Sequence, residues 1–248
     1  MAIKSTLLIS LLLLVESLLN SVAWSDEKNL ALPPEKYAFE NTINLVYQSL
    51  NEPSLNCEAF RCAMLGFMSL NSGGKVSQPN ILSIIDYSLP SSAERLFVID
   101  LKNRQLRYRS LVAHGKNSGE GFSTQFSNKA QSHKSSLGFF ITGEAYLGAH
   151  GYSMLLNGID TGYNDHAKVR GIVFHGANYV TNEYVNRYGR LGRSLGCPAL
   201  PPARNAEIIN LIKEGSLLFS YFHYAEYFNK STVLHDIPDF DYNIAENF

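Results

Sequence analysis

"GIVFHGANYVTNEYVNRYGRLGRSLGCPAL", residues 171–200, is the stretch from which the rest of the chain can be placed. It opens as a strand, because Ile172, Val173 and Phe174 are β-branched or aromatic and Gly176 interrupts the run. It closes as a bent loop in which Gly192 and Gly196 surround Arg193 and Ser194, and Pro198 stands directly behind Cys197. Glycine permits turns that other residues resist, and proline biases the residue before it toward an extended conformation.

A strand end carrying His175 and a shaped loop carrying Cys197 are the two halves of a candidate Cys–His pair. A cysteine attacks only as the thiolate, and a free thiol with a pKa of about 8.5 is mostly protonated at neutral pH, so it needs a base. His175 beside Gly176 is that candidate base, oriented by a backbone carbonyl near Gly176 or by a neighbouring hydroxyl. Pro198 has no N–H, so donors for an oxyanion fall to the amides of Gly196 and Cys197. The residues alone leave a second reading open, in which Cys197 is an inert buried thiol.

Working outward, the texture is sheet-like. "ILSIIDYSLP", "RLFVIDLKN", "QLRYRSLVAHG", "LGFFITGEAYL", "YSMLLNGID" and "VRGIVFHGA" are short β-rich runs punctuated by Gly, Asn and Ser, and predict hairpin-connected strands. Ahead of them, two helices are predicted over 35–50 and 54–71, the second started by Pro53-Ser54 and stopped by Gly73-Gly74. Behind the cysteine loop, Pro201-Pro202 introduces a helix over 203–214, closed by Gly215 and followed by the strand "SLLFSYF". The fold class is therefore mainly β with flanking helices (α+β). The expected organisation is a leader over 1–25, a helical section over 26–78, a catalytic domain over 79–228 and a tail over 229–248.

The leader, "MAIKSTLLISLLLLVESLLNSVAWS", has one lysine, a short apolar core and small residues at Ser21, Ala23 and Ser25, the order of a secretory signal peptide. Glu16 interrupts the apolar run short of the roughly 20 residues a membrane span needs. Export and a mature chain with no membrane span are the expectation. With 21 Lys and Arg against 22 Asp and Glu, the chain has no basic field for nucleic acid. Cys57 and Cys62 lie five apart on a helical pattern, too differently directed for easy pairing, and read as small core residues. The histidines at 114, 133, 150 and 166 show no zinc-ligand spacing. An ion pair between Arg170 and Asp165 is a further expectation.

The series His175-Gly176, a spacer, then Ser194-x-Gly196-Cys197 resembles the signature of the L,D-transpeptidase (YkuD-like) catalytic domain. The run Gly192-Arg193-Ser194-x-Gly196-Cys197-Pro198-Ala199-Leu200 resembles the murein L,D-transpeptidase branch in particular, and the likeness extends to "VAHGKNSGEGFSTQFSN" and "NDHAKVRGIVFHGA", about residues 80–220. The resemblance implies a β-sandwich catalytic fold in the periplasm or cell envelope that acts on peptidoglycan stem peptides, with no metal or organic cofactor. It implies Cys197 as nucleophile, His175 as general base, and Arg193, Ser194, His114, His150 and Tyr179 around the substrate. Structural roles for His114 and His150 stay open, as does an ordinary surface loop for the Tyr- and Asn-rich stretch 175–190. Leu195 and Ala199 depart from the histidine and arginine that many members carry there. An L,D-carboxypeptidase and a non-catalytic wall-binding protein of the same fold are the alternatives.

Overall fold

The structure, a computed structural model, describes residues 34–234, with side chains from residue 40 onward. The leader and residues 235–248 of the tail lie outside the described residues. The chain divides into two units, Met1–Leu45 and Val46–Phe248. In the first, the described residues form the beginning of helix α1 (Pro34–Leu50). The second contains everything that follows.

Helix α2 (Cys57–Ser72) begins later than the Pro53-Ser54 signal suggests, because Asn56 takes the cap position and its side chain accepts from the Ala59 N–H at 3.0 Å. It ends at Gly73, whose N–H donates to the Ser69 carbonyl at 3.1 Å. Cys57 is half-buried and Cys62 buried, and no disulfide forms among the described cysteines.

The strands are β1 (Ile81–Asp86), β2 (Leu96–Asp100), β3 (Gln105–Ser110), β4 (Gly138–Gly148), β5 (Gly151–Gly158), β6 (Val173–Gly176), β7 (Ala199–Leu200) and β8 (Leu217–Tyr221). They form one mixed sheet in the order β3-β2-β1-β8-β4-β5-β6-β7. The α+β class holds, and the predicted strand runs all form. The connections are not all hairpins: helix α4 (Pro202–Ile212) carries the chain from β7 back across the sheet, so that β8 enters between β1 and β4 and pairs parallel to β1. Ala113 bridges Ala199 and Gly115 bridges Ser194, which ties the segment after β3 to the far end of the sheet and curls it on itself.

The central strands are buried on both faces, which is why they read as continuous apolar runs rather than alternating ones. Phe139 of β4 and Phe219 of β8 are register partners with rings stacked 4.2 Å apart. They meet α2, where Gly66 lets the Phe139 ring come within 2.3 Å of the place a Cβ would occupy. One residue along, Phe140 and Leu218 face the other way into a core with Ile208, Ile209 and Ile212 of α4. Cys197 packs at the margin of that second core.

Candidate active site

Between β6 and β7 the structure adds an element the sequence reading left as a flap or loop: helix α3 (Asn182–Tyr188). Its signals are Thr181, whose Oγ1 accepts from the Tyr184 N–H at 3.1 Å, and Gly189 at φ 71°, which ends it. The chain then runs through a loop fastened at several points. The Gly192 N–H donates to Tyr179 O at 2.9 Å, the Ser194 N–H to His114 O at 3.0 Å, and the Lys116 N–H to Ser194 O at 2.8 Å. Gly196 has φ 130°, where an L side chain is strained.

Ser194 shapes the loop from inside. Its hydroxyl accepts from the Gly196 N–H at 3.0 Å and donates to the Cys197 carbonyl at 2.6 Å, and the residue is buried. Two expectations are corrected by this. Ser194 is occupied by its own loop rather than presented to a substrate, and the Gly196 amide is already bonded rather than free for an oxyanion. The Cys197 amide has no partner among the described residues and remains available.

His175 pairs with Ser153 of β5 on one side and with Ala199 of β7 on the other. Cys197 therefore lies two residues upstream of the base candidate's own ladder partner, in the loop that leads into β7. His175 Nδ1 lies 3.0 Å from the Gly176 carbonyl, which can only accept, so Nδ1 carries the proton and Nε2 keeps a lone pair. Of the two orienting groups considered from sequence, the structure has the backbone carbonyl. Cys197 is half-buried; its Sγ accepts from the Val173 N–H at 3.4 Å and lies 3.5 Å from the Gly171 carbonyl. No hydrogen bond joins it to His175 among the described residues.

Burial pushes the Cys197 thiol up, against the pull of the Val173 N–H and the Arg170 guanidinium. Burial pushes the His175 imidazole down, with the Gly176 carbonyl opposing and His150 adding. A neutral thiol beside a neutral imidazole is the resting state this favours.

The remaining predicted residues separate into those at the pair and those behind it. His150, exposed at the β4–β5 turn, stacks on His175 with ring centroids 4.5 Å apart. Tyr179 is half-buried against Gly192, and burial followed by the nearby Cys197 raises its phenol to about 12. His114 is fully buried: Nδ1 accepts from Arg95 at 2.8 Å and Nε2 donates to Gly119 O at 3.2 Å, so it braces the loop, the structural role the sequence left open. Arg193 is likewise committed, donating to Lys116 O and Gly119 O at 3.1 Å each and to Glu120 at 2.6 Å. Leu195 is 62% exposed beside the cysteine.

Arg170 does not pair with Asp165. Its guanidinium donates to Ser127 O at 2.6 Å, Lys134 O at 2.7 Å, Ser132 Oγ at 3.2 Å and Ser136 Oγ, all neutral acceptors. Asp165 instead accepts from Asn128 and the Gly162 N–H. Nη2 of Arg170 is 3.5 Å from the Cβ position at Gly196, which sets a positive charge beside the cysteine loop. Sequence spacing gave no sign of that role; its position just ahead of the strand bearing His175 is the single available cue.

A family model of the L,D-transpeptidase catalytic domain matches residues 51–221. The chain belongs to that family. Among solved structures, it is similar to an L,D-transpeptidase from Mycobacterium smegmatis at 13% identity, with 58% of this chain and 59% of that one covered and a TM-score of 0.37. It is similar to L,D-transpeptidase 1 of Mycobacterium tuberculosis at 13% identity, with coverages of 58% and 62% and a TM-score of 0.32. An L,D-transpeptidase from Stackebrandtia nassauensis aligns at 11% identity over 74% and 77% of the two chains, with a TM-score of 0.36. The chain spans about six tenths of the length of the first two. No curated protein matches. No helix among the described residues of this L,D-transpeptidase-family chain is long and apolar enough to cross a membrane.

Proposed function

We propose that this is an exported cysteine L,D-transpeptidase of the cell envelope that acts on peptidoglycan stem peptides, with Cys197 as nucleophile and His175 as general base. The observation that supports the reading is the β6–β7 register, in which Cys197 comes two residues before the ladder partner of His175, while the Gly176 carbonyl holds the imidazole with Nε2 unprotonated. The thiol leaves the Gly171 carbonyl when substrate arrives, a tightening common to sites whose catalytic hydrogen bonds form only in the complex.

In the first step the Cys197 Sγ–H proton passes to His175 Nε2 as sulfur bonds the carbonyl carbon of the third stem residue. The C–N bond to the terminal D-alanine breaks, and the imidazolium returns the proton to the departing amine. The Cys197 N–H is the available donor to the tetrahedral oxyanion, and Arg170 favours the thiolate electrostatically. In the second step an acceptor amine attacks the thioester, gives its proton to His175 and displaces the thiolate, which recovers that proton. Water in place of the amine gives a tripeptide.

The test is to incubate the protein with a stem tetrapeptide and a D-amino acid, then weigh peptides and protein by mass spectrometry. Exchanged peptide and an acyl adduct on Cys197 are expected. Tripeptide alone identifies a carboxypeptidase, and unchanged peptide with no adduct identifies a wall-binding protein. Turnover that survives Cys197→Ser removes the proposed nucleophile.

A further inference from the structure

The segment that flanks the cysteine loop also contributes to a cavity of about 260 Å³, lined by Thr124, Gln125, Phe126, Lys134, Phe222 and Tyr224. Its wall is aromatic: the rings of Phe126 and Phe222 are 5.1 Å apart, and Phe126 continues onto Tyr87 at 5.8 Å. Lys134 supplies the charge. Its Nζ donates to the Gln125 side chain at 2.7 Å and has no carboxylate partner among the described residues, which leaves two of its three N–H groups unassigned there. Glu226, which accepts from the lining residue Tyr224 at 2.6 Å, is also held by Lys230 at 2.8 Å.

The backbone of the same lysine touches the catalytic loop. A Cβ at Gly196 would lie 3.0 Å from Lys134 O, and the Oγ of the next residue, Ser135, donates to Gly196 O at 3.3 Å. One residue thus joins the loop of the proposed nucleophile to a cavity holding an ammonium that no described carboxylate pairs. Aromatic walls, an amide, a hydroxyl and a cation with no counter-charge among the described residues are complementary to a peptide that ends in a free carboxylate.

We infer that this cavity is a subsite for a carboxylate-bearing peptide, with Lys134 as the residue that selects the free acid. The inference rests on the proposed L,D-transpeptidase reading for the origin of such a peptide, but its test does not depend on Cys197 being reactive. Binding of N-acetyl-D-alanine and of its C-terminal amide to the protein is followed through the ring resonances of Phe126 and Phe222. The acid is expected to bind about tenfold more tightly than the amide, and Lys134→Met to abolish that difference while Lys134→Arg keeps part of it. Equal affinities for acid and amide, a preference that survives Lys134→Met, or ring resonances that do not respond each overturn the subsite.

A second measurement uses Cys197 itself. Iodoacetate and iodoacetamide differ by one negative charge, and their rates at Cys197 are compared by peptide mapping. The ratio of anionic to neutral reagent is expected to fall several-fold in Lys134→Met. An unchanged ratio at a reactive Cys197 counts against the subsite alone; a Cys197 inert to both reagents counts against the nucleophile and leaves the binding measurement to decide the subsite.

Discussion

The imidazole of His150 lies against that of His175, with ring centroids 4.5 Å apart and planes 27° from parallel. An exposed histidine thus covers the buried His175 ring and adds to the effects that disfavour its imidazolium. His150→Phe keeps a flat ring and removes the neighbouring charge, so His175 protonates more readily and the acid limb of kcat/KM moves to higher pH. His150→Ala loses the stack as well and lowers kcat several-fold. The measurement is a pH–rate profile for each variant; an acid limb in His150→Phe that stays where it was rules out the coupling.

Arg170→Met removes the positive charge beside the cysteine loop and four hydrogen bonds to the 127–136 segment. Alkylation of Cys197 is expected to slow several-fold at neutral pH and to recover at alkaline pH, where the thiolate forms unaided. Arg170→Lys should lie between. A uniform slowing at every pH would reduce Arg170 to a brace.

His114 ties the fold's stability to pH. Burial, helped by Arg95, lowers its pKa from 6.5 to about 4, so the folded state holds it neutral. Its contribution is complete above about pH 6.5, where neither state binds the proton, and is lost as pH falls toward 4, because the unfolded chain protonates first. The full loss is about 3 kcal/mol, at about 1.4 kcal/mol per unit of pKa. Urea titrations at pH 7 and pH 4.5 measure it, and His114→Gln, which can still accept from Arg95 and donate to Gly119, should flatten the difference.

Gly66→Ala drives a methyl into the Phe139 ring, whose atoms stand 2.3 Å from the new Cβ. Neither α2 nor the stacked Phe139–Phe219 pair can yield freely, so a loss of about 1–3 kcal/mol is expected. Thermal unfolding reads it directly, and the same methyl at Gly74, which has open space but φ 69°, separates strain of backbone from strain of packing.

Much of the fold was legible because buried strands and amphipathic helices carry their own punctuation. The runs around Ile84, Val98, Phe139 and Phe174 became strands where glycine, asparagine and proline bounded them. Their order was not legible. The insertion of β8 between β1 and β4 is fixed by α4 burying Ile208, Ile209 and Ile212 beneath the sheet, a long-range contact with no local signature. At the site, His175 and Cys197 stood out because strand ends and glycine-flanked thiols are uncommon in packing. The bonds that Ser194, His114 and Arg193 make were not legible, because their chemistry suits a substrate as well as a backbone carbonyl. Only the folded loop shows that Cys197 O, Gly119 O and Lys116 O reach them first. The α3 caps were present in the sequence at Thr181 and Gly189 and were passed over beside the tyrosines.

The bridge between Ala113 and Ala199 has a consequence for how a peptide can arrive. Residues 113–115 already lie along the outer side of β7 and its loop, so an incoming chain finds no vacant strand there to extend by backbone pairing. A peptide substrate of the proposed kind would instead be gripped through its side chains and termini. That suits a ligand of alternating handedness, whose D-residues would break the regular ladder that strand addition demands.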